Sequence, residues 1–222
     1  ITDVNALAAA YRSVIEAYGL THVDFDIEGA GLADKAAVDR RNAAIAILQQ
    51  EAATAGRELH VRYTLPVLPT GLTHDGLYLL QSAKAAGVRI DSVNIMAMDY
   101  GDSAAPNPAG KMGDYAIQAG TSLFGQLRAV YGSGPSDAAL WQQIGITPMI
   151  GRNDVLTEVF DQTEARELVA WAESKGIGLL SFWSLNRDYA HPSGSYAYVD
   201  LKSSSVPQTP LEFSGIFNAF TA

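Results

Sequence analysis

An α/β fold built on a parallel sheet is predicted by three features of the 222-residue chain. Helical and strand-like patterns alternate from end to end, one helix separates each strand from the next, and glycines close most of the helical stretches. Strands joined through single helices imply right-handed crossovers and parallel neighbours. A composition of 48% hydrophobic and 18% charged residues is enough to bury a real core, and no low-complexity tail or linker interrupts it. The chain is therefore read as one domain, residues 1–222.

Val4, Leu7, Tyr11, Val14, Ile15 and Tyr18 recur at helical spacing, with Asp3 or Thr2 able to cap the start and Gly19 the end. The strand THVDFDIEG follows. A long helix spans about 34–55 and stops at Gly56, and a second strand over about 59–65 runs into a turn region at Pro66, Pro69 and Gly71. The third unit has a helix over 75–86 ending at Gly87, then an apolar strand over 90–98 leading into Asp99, Tyr100 and Gly101 and a long loop, SAAPNPAGKMGD. The fourth has a helix over 115–131, a turn at GSGPSD and the strand IGITPMI. The fifth has a helix over 164–174, Gly176 and the strand IGLLSFW. A polar, Tyr-rich loop, NRDYAHPSGSYAYVD, leads to a final helix over 210–220.

Composition excludes several function classes. A net charge of −9 and a pI near 4.8 disfavour nucleic acid, which is normally met by a basic face. No apolar run has the ~18 residues of a membrane span, no signal peptide opens the chain, and no G-x-G-x-x-G follows a strand. Cysteine is absent, which removes disulfides, thiolate chemistry and Cys-based zinc sites. His22, His60, His74 and His191 show no metal-ligand spacing. No cofactor and no metal are expected. The start at Ile1, without a methionine, marks a processed product, an excised domain or an incomplete record.

The strand around DFDIEG breaks a rule. In a parallel sheet covered on both faces a strand reads as nearly continuous apolar residues, yet Asp24, Asp26 and Glu28 alternate with Val23, Phe25 and Ile27. With period two the acids share one face, pointing into a lumen or cleft while the apolar residues pack on helices. Ionised carboxylates withdrawn from water without partners cost several kcal/mol each. Neighbouring carboxylates also resist joint ionisation, so the cluster holds a proton near neutrality and the last member becomes a poised acid. Glu28 lies at the strand's C-terminal end, where parallel α/β barrels carry their chemistry. The other readings of such a cluster are a divalent-cation site and a structural hydrogen-bonded network.

DFDIEG resembles the signature of family 18 glycoside hydrolases, the chitinases, whose fourth barrel strand carries D-x-x-D-x-D-x-E. Asp24, Asp26 and Glu28 fall on its last three acids, while Thr21 stands at the first and His22 where glycine is usual. IMAMDYG resembles the M-x-Y-D motif of strand six, with Met96 and Asp99 in register and Met98 in place of the tyrosine. TPMIGR resembles the seventh strand's P-x-x-G-R, giving Arg152 a cleft-lining role. LLSFWSL resembles the eighth strand, whose tryptophan, here Trp183, floors the sugar site. The resemblance implies a parallel (β/α)8 TIM-type barrel of which strands four to eight are present. It also implies that the first three strands, with the family's S-x-G-G motif, lie in another segment, chain or copy, since a full barrel takes about 250 residues.

By the same resemblance the chain is expected to be a retaining, endo-acting chitinase cleaving β-1,4 N-acetylglucosamine linkages, in which the substrate's own acetamido oxygen is the nucleophile. Glu28 would be the acid and then the base. Asp26 would accept the acetamido N–H, and Asp24 would share a proton with Asp26. Asp99 would bind a sugar hydroxyl or the acetamido group, and Trp183 would stack on the sugar. Met98 cannot donate the hydrogen bond of the missing phenol, so Tyr100, two residues on, or a water is expected to supply it. Trp141 and Trp171 read as packing residues. The expected partners are chitin or its oligosaccharides, with no nucleic acid and no membrane, and the substrate class implies secretion. The alternatives are an endo-β-N-acetylglucosaminidase of the same fold and a non-catalytic chitin-binding lectin.

Overall fold

The computed structural model describes residues 1–194 and 196–221. The chain forms, in order, α1 (Val4–Tyr18), β1 (His22–Asp26), α2 (Gly29–Ala33), α3 (Lys35–Thr54), β2 (His60–Leu68), β3 (Gly71–Leu72), α4 (His74–Ala85) and β4 (Ser92–Ala97). It continues with α5 (Met112–Tyr131), α6 (Asp137–Gln142), β5 (Ile144–Pro148), β6 (Gly151–Arg152), β7 (Val159–Phe160), α7 (Gln162–Lys175), β8 (Leu179–Leu180), a 3-10 turn (Leu185–Arg187) and α8 (Glu212–Phe217). The five predicted strands are β1, β2, β4, β5 and β8. The extra strands β3, β6 and β7 are two residues each, too short for any periodic signal. The helix expected over 210–220 is confined to Glu212–Phe217. Ser195, within the expected Tyr-rich loop, lies outside the described residues.

Two compact units make up the chain, Ile1–Pro66 with Thr73–Val93 and Val67–Leu72 with Asn94–Ala222. In the first, Asp3 rather than Thr2 caps α1, its carboxylate accepting the Ala6 N–H at 2.8 Å. β1 and β2 run parallel, with Asp24 opposite Arg62 and Asp26 opposite Thr64. β2 alternates strictly. Val61, Tyr63 and Leu65 are buried, while Arg62 and Thr64 on the other face are partly open. Helices α1 and α4 both pack on α3, closing a core of Val38, Ile45, Leu48, Leu79 and Leu80. One buried polar pair crosses it: the Tyr63 hydroxyl donates to Asn42 Oδ1, and Asn42 Nδ2 donates to the Leu79 carbonyl at 3.2 Å. Phe25 on β1 meets Tyr11 of α1 edge-on at 5.2 Å, so the apolar face of the acidic strand does pack on a helix.

In the second unit β5 and β8 are parallel, Gly145 opposite Leu179 and Ile146 opposite Leu180, and α5 packs against β3, β5 and α7. Gly120 makes the approach of α5 possible: a Cβ there would lie 2.7 Å from Ile146 Cδ1 and 2.8 Å from Trp171. Trp171 and Trp141 pack as expected, Trp141 stacked on Phe124 at 4.2 Å and edge-on to Trp171 at 5.9 Å. Helix α5 begins at Met112, three residues before the sequence pattern places it. The Glu164 carboxylate of α7 accepts the Met112 and Gly113 N–H groups and so supplies the missing cap from outside the helix. Between β5 and α7 the chain turns back on itself, β6 and β7 pairing antiparallel with Gly151 opposite Phe160 and Arg152 opposite Val159.

Candidate active site

In the first unit the three acids lie together. Asp24 and Asp26 are the third and fifth residues of β1, and Glu28 follows in extended conformation (φ −133°, ψ 166°) as the residue before α2. All three are open to solvent. Asp24 is tied down by β2: the Thr64 hydroxyl donates to Asp24 Oδ1 at 2.9 Å and Oδ2 at 3.0 Å. Desolvation raises the Asp24 carboxyl above the usual carboxylate range, with Asp26 adding to the rise and Thr64 and Arg62 opposing it. Glu28 is also raised, first by partial desolvation, then by the charge of Asp26 and a hydrogen bond to it. Among the described residues no group of three or more ligand-type side chains is arranged to hold a metal ion.

The remaining predicted residues belong to the second unit. Met98 and Asp99 are partly exposed at the end of β4. Asp99 has φ +51°, a left-handed conformation uncommon outside glycine, asparagine and aspartate, and its Oδ1 accepts the Val155 N–H at 2.9 Å. Its carboxyl is raised, chiefly by burial and then by Asp154. Tyr100 is only 6% exposed, and its hydroxyl is enclosed with no hydrogen-bond partner among the described residues. This phenol does not present itself at the surface, where a waiting donor would stand. Arg152 is partly exposed, but two of its guanidinium nitrogens already donate to the carbonyls of Tyr196 and Leu156.

Trp183 is 57% exposed, which sets aside a core role. Its backbone is fixed, the N–H donating to the Pro148 carbonyl at 2.8 Å and the carbonyl accepting the Ile150 N–H at 2.9 Å. The Trp183–Ser184 peptide is cis. A flat apolar face is open to solvent on a backbone tied by these two hydrogen bonds.

Three residues that touch predicted ones within their own unit carried no signal in the sequence. Thr64 is recognisable only once β2 is placed in register beside β1. Glu158 and Asn153 sit in an irregular turn between β6 and β7 and are both fully buried. Glu158 accepts the Tyr100 N–H at 3.1 Å and the Gly101 N–H at 2.7 Å, and Asn153 Oδ1 accepts the Asp99 N–H at 3.3 Å.

The parallel α/β units with an acidic strand leading into a helix match a TIM-barrel-type catalytic domain. The catalytic domain of a hyperthermophilic chitinase from Pyrococcus furiosus superposes with a TM-score of 0.85 at 34% identity, over 98% of this chain and 66% of that one. A catalytic-site mutant of the same organism's chitinase active domain 2, complexed with chito-oligosaccharides, matches with a TM-score of 0.85 at 33% identity, also over 66% of that chain. In sequence the chain is 37% identical over 99% of its length to a probable bifunctional chitinase/lysozyme of Escherichia coli, of which it spans 25%. It is 38% identical over 84% of its length to endochitinase 11 of Metarhizium anisopliae, of which it spans 36%. No protein-family model matches. By sequence and fold the chain is related to chitinase catalytic domains over nearly its whole length, and it spans between a quarter and two thirds of each of these relatives.

Proposed function

We propose that this chain carries the acid/base machinery of a retaining chitinase that hydrolyses β-1,4 N-acetylglucosamine linkages with the substrate's acetamido group as nucleophile. The observation that carries the reading is the placement of Glu28 beside Asp26 at the open end of β1, its carboxyl raised by desolvation and by the Asp26 charge and hydrogen bond. A proton donor must hold its proton more tightly than an ordinary carboxyl does, and the upward shift of Glu28 acts in that direction. Glu28 protonates the glycosidic oxygen while the acetamido carbonyl oxygen attacks the anomeric carbon, so the C–O bond breaks and an oxazolinium ion forms. Asp26 accepts the acetamido N–H and stabilises that cation; Asp24, locked by Thr64, tunes Asp26. Glu28, now ionised, takes a proton from water, whose oxygen opens the oxazolinium with net retention. Holding the acetamido group in line gives this attack the high effective molarity of an intramolecular reaction.

In this reading Trp183 stacks on the sugar, Asp99 and Arg152 meet its polar groups, and Met98 lines the site. With the Tyr100 hydroxyl enclosed, a water supplies the remaining donor. Among the described residues β1 is hydrogen-bonded as a strand only to β2. The reading therefore includes a further barrel segment, in the same or another chain, beside β1. A polymeric substrate places such an activity outside the cell.

The test is incubation of the protein and a Glu28→Gln variant with chitin oligomers. Cleavage by the wild type, products released first as the β-anomer, and binding without cleavage by the variant are the expected results. Binding without wild-type cleavage would establish a lectin instead. Cleavage only of glycoprotein glycans would make it an endo-β-N-acetylglucosaminidase.

A further inference from the structure

Of the buried carboxyl residues that the mechanism above leaves unused, Glu158, Glu164 and Asp188, Glu158 holds the turn that carries Asp99. Glu158 is 0% exposed, sits in the turn between β6 and β7, and has no cationic partner within ion-pair distance among the described residues. Its oxygens instead take two consecutive backbone donors, Tyr100 N–H at 3.1 Å on Oε2 and Gly101 N–H at 2.7 Å on Oε1. The preceding donor, Asp99 N–H, goes to Asn153 Oδ1 at 3.3 Å, and Asn153 is itself fixed by donating to the carbonyls of Met149 and Gly151. Three successive N–H groups thus converge on two buried side chains, the geometry of a backbone nest closed around an internal carboxyl and an amide oxygen. Glu158 is anchored in turn, its N–H donating to the Val155 carbonyl and its carbonyl accepting the Asn153 N–H. The residue at the head of this nest, Asp99, has φ +51°. A left-handed non-glycine conformation persists only where the surroundings over-determine it.

We infer that Glu158 is a positioning residue for Asp99: by clamping the 99–101 turn it fixes the direction in which the Asp99 carboxyl meets the bound sugar. The inference rests on the proposed substrate role of Asp99. It differs from a general structural role because it couples Glu158 to Asp99 rather than to the stability of the unit.

The experiment is a double-mutant cycle of Glu158→Gln and Asp99→Asn with chito-oligosaccharide hydrolysis as one readout and amide hydrogen exchange of Tyr100 and Gly101 as the other. The amide of glutamine offers one acceptor oxygen where the carboxylate offers two. Glu158→Gln should therefore speed exchange at one or both of these amides. It should lower kcat by roughly tenfold to a hundredfold, the scale of a small misplacement of a substrate-positioning group, with KM little changed. Combined with Asp99→Asn it should cause no loss beyond the larger single effect. Losses that multiply, or an unchanged kcat alongside faster exchange, would overturn the inference while leaving the functional reading intact. A wild-type chain that cleaves no oligosaccharide, or an Asp99→Asn variant with wild-type kinetics, would instead remove the reading and the inference with it. Should Glu158→Gln fail to fold, Glu158→Asp, which keeps the charge one methylene short of its donors, is subjected to the same cycle and the same criteria.

Discussion

Glu28 and Tyr100 show opposite relations between a polar group and its surroundings. Glu28 is open to solvent yet its carboxyl is raised, first by partial desolvation and then by Asp26, the direction the proposed proton donor requires. Activity should fall as pH rises through the raised Glu28 value, and a pH–rate profile of oligosaccharide cleavage measures this; a flat alkaline limb would contradict it. The Tyr100 hydroxyl is enclosed and, among the described residues, unpartnered, and burial drives its ionisation far above the ordinary phenol range. Removing an unpaired buried hydroxyl while keeping the ring is close to neutral for stability. Tyr100→Phe should therefore leave the melting temperature unchanged or raise it. If oligosaccharide cleavage is also unchanged, the remaining donor is a water and not this phenol. Trp183→Ala removes an exposed ring from a backbone held by Pro148 and Ile150. Thermal stability should stay within about 1 kcal/mol of wild type, while chito-oligosaccharide affinity measured by calorimetry drops on the order of tenfold or more. Unaltered affinity would return Trp183 to the status of an ordinary surface residue.

At the scale of elements, Glu164 links the starts of α5 and α7. It is the third residue of α7, closes a capping box with Asp161, and its other oxygen takes the Met112 and Gly113 N–H groups of α5. Desolvation outweighs these donors and raises its carboxyl to about 7. A carboxyl whose folded value lies above its unfolded one binds its proton more tightly when folded, so the folded state is relatively favoured below the unfolded value. That advantage is lost as pH rises from about 4.5 through about 7. Isolated from other groups, Glu164 should cost on the order of 3 kcal/mol of stability on going from acid to pH 8. Denaturant unfolding across that range should show the slope in the wild type and a weaker one in Glu164→Gln; equal slopes would mean that other groups dominate. The same carboxylate explains why α5 starts at Met112, which no local pattern announces. Its cap is more than fifty residues away in sequence, so propensity and periodicity have nothing to read. The pair β6 and β7 was missed for a related reason. Two-residue strands exist because their partners do, and here the turn is fixed by Gly151, whose φ of +70° and contact with the Ser204 carbonyl leave no room for a Cβ.

At the scale of the molecule, the exposed apolar side chains of the first unit are unevenly placed. Ile1, Val14, Tyr18 and Leu20 are exposed on or beside α1, next to a groove of about 310 Å³ lined by Tyr11, Val14, Ile15, Leu20, His22, Val23, Asp24 and Phe25. Contiguous apolar surface of this kind promotes association. The chain should therefore bind a hydrophobic dye and self-associate at high concentration, both reduced in a Val14→Lys/Tyr18→Lys variant; equal dye binding and equal light scattering would show that this face is inert. The net charge of −9 bears on solubility and on polyanion avoidance, not on fold. Among the described residues no helix is long and apolar enough to cross a membrane.

What the sequence determined by itself is periodic or compositional. The helix and strand alternation, the parallel sheet, the alternate placement of Asp24, Asp26 and Glu28 along β1 and just beyond it and the packing roles of Trp141 and Trp171 all follow from spacing that each residue carries within its own segment. What only the tertiary structure decided is every relation between segments distant in sequence. The Thr64 clamp on Asp24, the enclosure of the Tyr100 hydroxyl, the exposure of Trp183 and the burial of Glu158 beneath the 99–101 turn are of this kind. Side-chain direction is local because backbone geometry repeats every two or 3.6 residues, whereas desolvation and hydrogen-bond partnership depend on which other atoms the folded chain brings within about 3 Å.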